Sequence, residues 1–159
     1  MPAPKLNGLA HLVIRVRDLD RSIAFYQDVL GLELLKPQMS FMAFFNSPGS
    51  DRSHELGIMQ LGPDAPGPEQ DRVGLYHFAW QVDELKQLED FHRHAVEQHA
   101  NIVGYGDHGH SFGVYLTDPD GNEIEVFYEL PREQWSTGEM GGRGRFPLPI
   151  DIEPVSVRA

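Results

Sequence analysis

Between residues 106 and 127 the chain holds two histidines, His108 and His110, a tyrosine, Tyr115, a tight Asp118-Pro119-Asp120-Gly121 turn and the carboxylates Glu123 and Glu125. A plain core strand does not need that density of polar groups, whereas a catalytic or metal-binding segment does. Glu125 is read as one leg of an iron site, and His11 and His77 are the candidates for the other legs. Each opens an apolar stretch: His11-Leu-Val-Ile-Arg-Val16 followed by Asp18 is answered, about 66 residues later, by His77-Phe-Ala-Trp-Gln-Val82 followed by Asp83. Two histidines and one carboxylate on one side of an ion leave its other positions open. That set suits non-haem Fe(II), with room for a substrate and O2. Each residue alone reads as a satisfied polar group at a strand end. It is the matched pair, joined to the downstream segment, that argues for a site.

Four further positions complete the chemical inventory. His54 is either a surface histidine at a strand end or an acid/base group near the metal, a role its ordinary pKa permits. His108 and His110 sit in a glycine-rich turn where backbone can approach a ligand, and one of the two is expected to point inward. Tyr115 is either a core aromatic or a hydroxyl that hydrogen-bonds a substrate oxygen. Glu123 and Glu125 share a strand face by the two-residue period, so alternation does not choose between them. His92, His94 and His99 are read as helix-face residues without a catalytic role.

The elements that must position these groups form a repeat. Strands are expected at residues 9–16, 32–35, 41–45 and 54–61, and again at 75–82, 102–105, 111–116 and 123–128. A helix follows the first strand of each set. Asp18 or Asp20 caps the first, and Leu19, Ile23, Tyr26 and Leu30, with Val29 alongside, give it an apolar face that Gly31 terminates. Asp83 is expected to cap the second, whose face runs Leu85, Leu88, Phe91 or His92, Ala95 and His99. The histidine of each repeat is placed three residues into its first strand. A unit present only twice argues for paired modules rather than an array.

The expected fold is therefore α+β, two paired βαβββ modules forming a curved, partly closed mixed sheet around a metal site. Residues 7–130 make one domain, with module one at 7–61, a Pro/Gly-rich linker at 62–74 and module two at 75–130. Residues 131–159 form an irregular C-terminal arm.

Composition narrows the function classes. The chain has 159 residues, enough for one compact domain, no cysteine and a formal net charge of −11. That charge argues against broad binding to nucleic acid or anionic lipid. It leaves a small anionic substrate open, since a metal's local charge can outweigh the mean field. Disulfides and thiolate metal sites are excluded. No apolar run reaches the roughly 18–20 residues of a membrane span, and residues 1–5 lack a signal-peptide core. A cytoplasmic location is the default expectation.

The repeated strand-helix-three-strand modules carrying these residues resemble the vicinal oxygen chelate superfamily over about residues 7–130. That superfamily includes glyoxalase I, bleomycin-resistance proteins, thiol transferases acting on fosfomycin and type I extradiol dioxygenases. Asp118-Pro119-Asp120-Gly121-Asn122-x-Ile124-Glu125 is shared widely within it and supports the fold and a metal carboxylate. A finer resemblance is to the extradiol ring-cleaving branch. Gly106-Asp107-His108, five residues, Val114-Tyr115, two residues, Asp118-Pro119-Asp120-Gly121, three residues and Glu125 fit its signature element by element. The resemblance selects His108 over His110 and Glu125 over Glu123.

The resemblance implies Fe(II), with Mn(II) as an alternative, bound by His11, His77 and Glu125. It implies His54 as the acid/base residue and His108 and Tyr115 as the groups that hold substrate hydroxyl oxygens. The substrates would be a catechol-type ring and O2, both oxygen atoms entering the opened product. The best-known members have four modules, so this chain would be a single-domain form. Modules of this type pair across chains, which implies a homodimer or larger assembly. Two other readings come from the same superfamily. A glyoxalase- or epimerase-type isomerase or lyase would use a fourth ligand on the last strand of module one, where Glu55 is the sole carboxylate. A metal-free binding protein of the resistance type would not need His11, His77 and Glu125 together.

Overall fold

The structure is a computed structural model that describes residues 3–36, 39–69, 71–135, 152 and 155. The chain divides into two compact units, Met1–Pro66 and Gly67–Ala159.

In the first unit β1 (Leu12–Val16) leads into α1 (Leu19–Asp28), then β2 (Glu33–Leu34), β3 (Met42–Asn46) and β4 (Leu56–Gln60). The sheet runs β1-β4-β3-β2, with β1 parallel to β4 and the other neighbours antiparallel. Asp18 caps α1 by accepting from the Arg21 amide at 2.8 Å. Gly31, at φ +69°, ends it, and the Leu32 amide turns back to the Tyr26 carbonyl. The face that α1 buries carries Leu19, Ser22, Tyr26 and Val29; Ile23 and Leu30 lie only half-buried beside it. Ser22 is small enough to let the helix approach the sheet, where Ile14, Val16, Phe45, Leu56 and Ile58 complete the core. Burying each large apolar side chain contributes about 1.5–3 kcal/mol.

The second unit repeats the order: β5 (His77–Val82), α2 (Leu85–Glu97), β6 (Asn101–Asp107), β7 (Ser111–Thr117) and β8 (Glu123–Glu129). Its sheet runs β5-β8-β7-β6, again with one parallel pair, β5 and β8. Each unit is thus a βαβββ module with its own open four-stranded mixed sheet. Leu88, His92 and Ala95 of α2 face inward, and with Val114, Leu116, Ile124 and Val126 they form the core. Because side chains alternate along a strand, Tyr115, Glu123 and Glu125 lie on the opposite face, as does His77, the register partner of Glu123. The helix side of the sheet supplies stability, and the other side is left for chemistry.

Several boundaries differ from those read in the sequence. The N-cap of α2 is Glu84, not Asp83. The Gln87 side chain accepts from both the Asp83 and Glu84 amides, which draws the helix start one residue inward. His77 is the first residue of β5, and His11 stands one residue before β1, so neither lies three residues into its strand. His54 precedes β4 by two residues. β6 runs from Asn101 to Asp107, beyond the expected 102–105, and at Gly106 it admits the close approach of the His108 side chain. The C-terminal arm expected over 131–159 is described only as a short 3-10 turn (Arg132–Gln134), Trp135, and residues 152 and 155; its remainder lies outside the described residues.

Candidate metal and substrate centre

The Asp118-Pro119-Asp120-Gly121 turn fixes the register that makes the site of the second unit. Buried Asp118 accepts from the amides of Asp120 and Asn122 and from the Asn122 side chain, all within 2.9 Å. Gly121 takes φ +90°, a conformation other residues rarely adopt. β8 therefore enters the sheet with Glu123 opposite His77 on β5 and Glu125 opposite Tyr115 on β7.

Four side chains form one chain of contacts on that face. His77 Nε2 lies 3.5 Å from Glu125 Oε2. Tyr115 donates its hydroxyl to Glu125 Oε1 at 2.8 Å, and His108 Nε2 is 2.8 Å from the Tyr115 oxygen. The tyrosine has one proton and spends it on the carboxylate, so His108 Nε2 carries a hydrogen and donates to Tyr115. Burial, followed by the hydrogen bond to Glu125 and the charges of Glu125 and Glu123, pushes the Tyr115 hydroxyl well above its usual range. Tyr115 is consequently a neutral donor, not a base.

Two glycines leave the room for this arrangement. A Cβ on Gly113 would sit 2.4 Å from Glu125 Oε1, and one on Gly106 would sit 2.8 Å from His108 Nε2 and 3.0 Å from the Tyr115 ring. The two loop histidines make different contacts. His108 turns to Tyr115, whereas His110 donates from Nδ1 to the His108 carbonyl and packs its ring 5.3 Å from Trp135. The Arg132 guanidinium covers the other part of that indole, 3.9 Å from the ring centroid. Sequence reasoning did not anticipate Trp135 and Arg132 as supports of this loop. The available signal was a lone tryptophan close after the last strand.

Among the described residues no three His, Asp or Glu side chains are gathered closely enough to hold a metal ion by themselves. The pair His77 and Glu125 nevertheless fits a divalent cation. Two donors on one ion at about 2.0–2.2 Å stand roughly 3.0–3.5 Å apart, which is the separation of His77 Nε2 and Glu125 Oε2. Glu125 is buried, 8% exposed, and the cavity over Gly113 is kept free for it. Imidazole nitrogen and carboxylate oxygen are donors suited to Fe(II), Mn(II) and Zn(II) alike.

In the first unit the other two predicted histidines meet. Leu12 and Leu56 are partners in the parallel β1–β4 ladder, and the Leu12 amide donates to the Glu55 carbonyl at 3.0 Å. That pairing brings His11 and His54 together, with ring centroids 4.3 Å apart, and Phe44 packs edge-on to His54 at 5.0 Å. Glu55 is directed elsewhere. Its carboxylate accepts from the Ser47 amide at 2.7 Å and the Ser50 hydroxyl at 3.1 Å, with Arg52 at 3.8 Å. Partial burial alone would raise the Glu55 carboxyl. The Ser47 and Ser50 hydrogen bonds and the Arg52 charge outweigh it and hold the group below its usual value.

The two modules can be compared strand for strand. Glu125 is the ladder partner of Ala79, two residues after His77. The corresponding position in the first module is the partner of Val13, two residues after His11, and it is Gly57. A Cβ there would already lie 3.2 Å from Val13 and 3.3 Å from the Phe44 ring. An aromatic ring fills the space that a carboxylate fills in the second module.

Comparison with known proteins agrees with this architecture. The profile of the Glyoxalase/Bleomycin resistance protein/Dioxygenase superfamily matches residues 8–126. A catechol-2,3-dioxygenase of Bacillus subtilis is 34% identical over 149 residues, 91% of this chain and 50% of that protein. The chain thus spans half the length of that relative. A probable lactoylglutathione lyase of Synechocystis is 31% identical over 123 residues, 74% of this chain and 92% of the other. A glyoxalase/dioxygenase of Nostoc punctiforme superposes with a TM-score of 0.65 at 27% identity, covering 82% of this chain and 97% of its own. From its two βαβββ modules and the span of that match, the chain belongs to the Glyoxalase/Bleomycin resistance protein/Dioxygenase superfamily.

Proposed function

We propose that the protein is an Fe(II)-dependent extradiol dioxygenase that opens a catechol-type ring next to its two hydroxyl-bearing carbons, using O2. The proposed ligands are His11, His77 and Glu125, and Mn(II) is the alternative metal. The observation that carries the reading is the His108–Tyr115–Glu125 hydrogen-bonded chain. Glu125, the proposed metal carboxylate, is joined through Tyr115 to a second hydrogen-bonding group, His108, which puts two such groups where a diol oxygen would bind.

Bound at these residues, iron would lower the pKa of the diol hydroxyls and hold ring and O2 on one ion, making their reaction effectively intramolecular. The chain's own groups do the rest. To hold the substrate oxygens and fix the ring's orientation, Tyr115 and His108 would turn their hydrogens from Glu125 and the Tyr115 oxygen, where they rest in the free protein, to the substrate. Glu125, restrained by Tyr115 and by the space over Gly113, keeps its carboxylate in one position. His54 is the proposed proton donor and acceptor during cleavage, with Phe44 restricting its ring.

The lyase reading, raised by relatives such as the Synechocystis protein, is less well supported by the first module. Glu55 is committed to Ser47 and Ser50, and the position matching Glu125 is Gly57. The resemblance to the isomerase branch implies a fourth carboxylate there, and this chain has none. The soluble small-molecule chemistry fits the fold, and among the described residues no helix is long and apolar enough to cross a membrane. Pairing of modules across chains makes a homodimer the expected assembly, and the cytoplasm is the proposed location.

The deciding experiment loads the protein anaerobically with Fe(II), then measures O2 uptake and ring-opened chromophore with a catechol panel. Lactoylglutathione turnover is assayed in parallel. Oxygen uptake tied to a catechol supports the proposal. Turnover of lactoylglutathione with no catechol oxidised would overturn it in favour of the lyase.

A further inference from the structure

Glu123 is not used by the proposed reaction, although it shares a strand face with Glu125. His77 lies between the two carboxylates. Its Nε2 edge faces Glu125 at 3.5 Å, and its Nδ1 edge faces Glu123 Oε1 at 3.8 Å. Nδ1 is buried and, among the described residues, has no hydrogen-bond partner. Tyr76 and Tyr115 pack against the ring at 5.0 and 5.6 Å, so the imidazole is held in place. His77 and Glu123 are register partners on parallel strands, so backbone pairing fixes their closeness.

An imidazole that gives one nitrogen to a metal must carry its proton on the other, and that proton needs an acceptor. Glu125 faces Nε2, which makes Nε2 the metal-facing nitrogen. Nδ1–H is then the donor, and Glu123 is the acceptor opposite it. We infer that Glu123 is a positioning residue that accepts a hydrogen bond from His77 Nδ1, setting the tautomer and ring orientation of His77 for metal binding. This rests on the reading of His77 as a metal ligand, but not on the ring-cleaving reaction.

The test measures Fe(II) affinity anaerobically against a competing chelator for the wild type, Glu123→Ala, Glu123→Gln, Glu125→Ala and His77→Ala. It also reads the His77 tautomer in the metal-free proteins by nitrogen-15 NMR of labelled histidine. Glu123→Ala is expected to weaken Fe(II) binding about 10–100-fold and to reduce the Nδ1–H tautomer. Glu123→Gln, which keeps an acceptor oxygen, should recover most of both. Wild-type affinity and an unchanged tautomer in Glu123→Ala would overturn the inference. So would a complete loss of binding equal to that in Glu125→Ala, which would make Glu123 a ligand. If instead His77→Ala binds Fe(II) as the wild type does, the ligand assignment itself fails, an outcome distinct from either.

Discussion

Tyr115 and Glu125 are register partners on antiparallel β7 and β8, and the tyrosine hydroxyl donates to the glutamate at 2.8 Å. The backbone ladder places the two side chains on one face, and the hydrogen bond selects which carboxylate oxygen remains free. Oε1 is taken by Tyr115, and Oε2 is turned to His77. One oxygen is thereby held by Tyr115, and the other is left for the proposed metal.

Tyr115→Phe removes that restraint without changing the ring. A hydrogen bond to a charged group is worth about 1.5–3 kcal/mol, and chemical denaturation should show a loss within that range. Fe(II) affinity should fall less than tenfold, because the Glu125 and His77 donors remain. Turnover of the cleaved catechol should fall by at least about tenfold if Tyr115 holds a substrate oxygen. Unchanged turnover with lowered stability would restrict Tyr115 to support of Glu125.

Substitutions at Gly113 and Gly106 should separate the proposed metal binding from the proposed substrate binding. Each added Cβ would meet side chains rather than backbone: the Glu125 carboxylate in one case, and the His108 ring with the edge of Tyr115 in the other. The side chain should swing away and the fold should survive. Gly113→Ala should therefore weaken Fe(II) binding, on the order of tenfold or more, with a melting temperature within a few degrees of wild type. Gly106→Ala should leave Fe(II) affinity near wild type and raise KM for the catechol. The reverse pattern in titration and kinetics would contradict the assigned contacts.

Much of this was legible in the sequence because local rules and tertiary structure agree there. The paired modules follow from apolar period, caps and the Asp118-Pro119-Asp120-Gly121 turn, and all eight strands and both helices fall close to where periodicity puts them. What alternation could not do was choose among groups on one face. Glu123 and Glu125 are equivalent by period; the family signature chose Glu125, and the registers with His77 and Tyr115 give the two different neighbours. The strand expected at 102–105 stops short of Gly106, although β6 continues to Asp107, because a glycine that admits a neighbouring side chain looks locally like a loop residue. Ser22 displaced Ile23 from the buried face of α1 for the same kind of reason: contact distance between elements is absent from the periodicity of one element.

His92 offers a pH test away from the site. It is buried on α2, 2.9 Å from the Tyr105 hydroxyl, and burial, with a smaller push from Arg93, lowers its pKa below 6.5. The folded state thus binds its proton less readily than the unfolded chain. Stability from neutral His92 is fully present above the unfolded pKa of about 6.5 and is lost as pH falls through the folded value. Urea unfolding between pH 8 and pH 5 should show this decline. His92→Gln keeps an acceptor for Tyr105 but cannot titrate, so the gap between variant and wild type should narrow as pH falls. A gap that stays constant across the range would show that His92 does not contribute.

The two predicted roles of histidine are distinguished by His77 and His54. His77 has a carboxylate oxygen 3.5 Å from Nε2 and sits in the module that carries Glu125. His54 packs against His11 and meets Phe44 edge-on, and its neighbour Glu55 is engaged with Ser47. Removing a ligand should abolish metal binding, whereas removing an acid/base group should leave the metal in place and slow the reaction, typically by 10²–10⁴-fold. Iron content after anaerobic loading and desalting should therefore drop to background in His77→Ala and remain near wild type in His54→Ala. Catechol turnover in His54→Ala should fall by about two orders of magnitude or more. Equal loss of iron in both variants would move His54 from the acid/base role into the ligand set, and full turnover in His54→Ala would remove it from the mechanism.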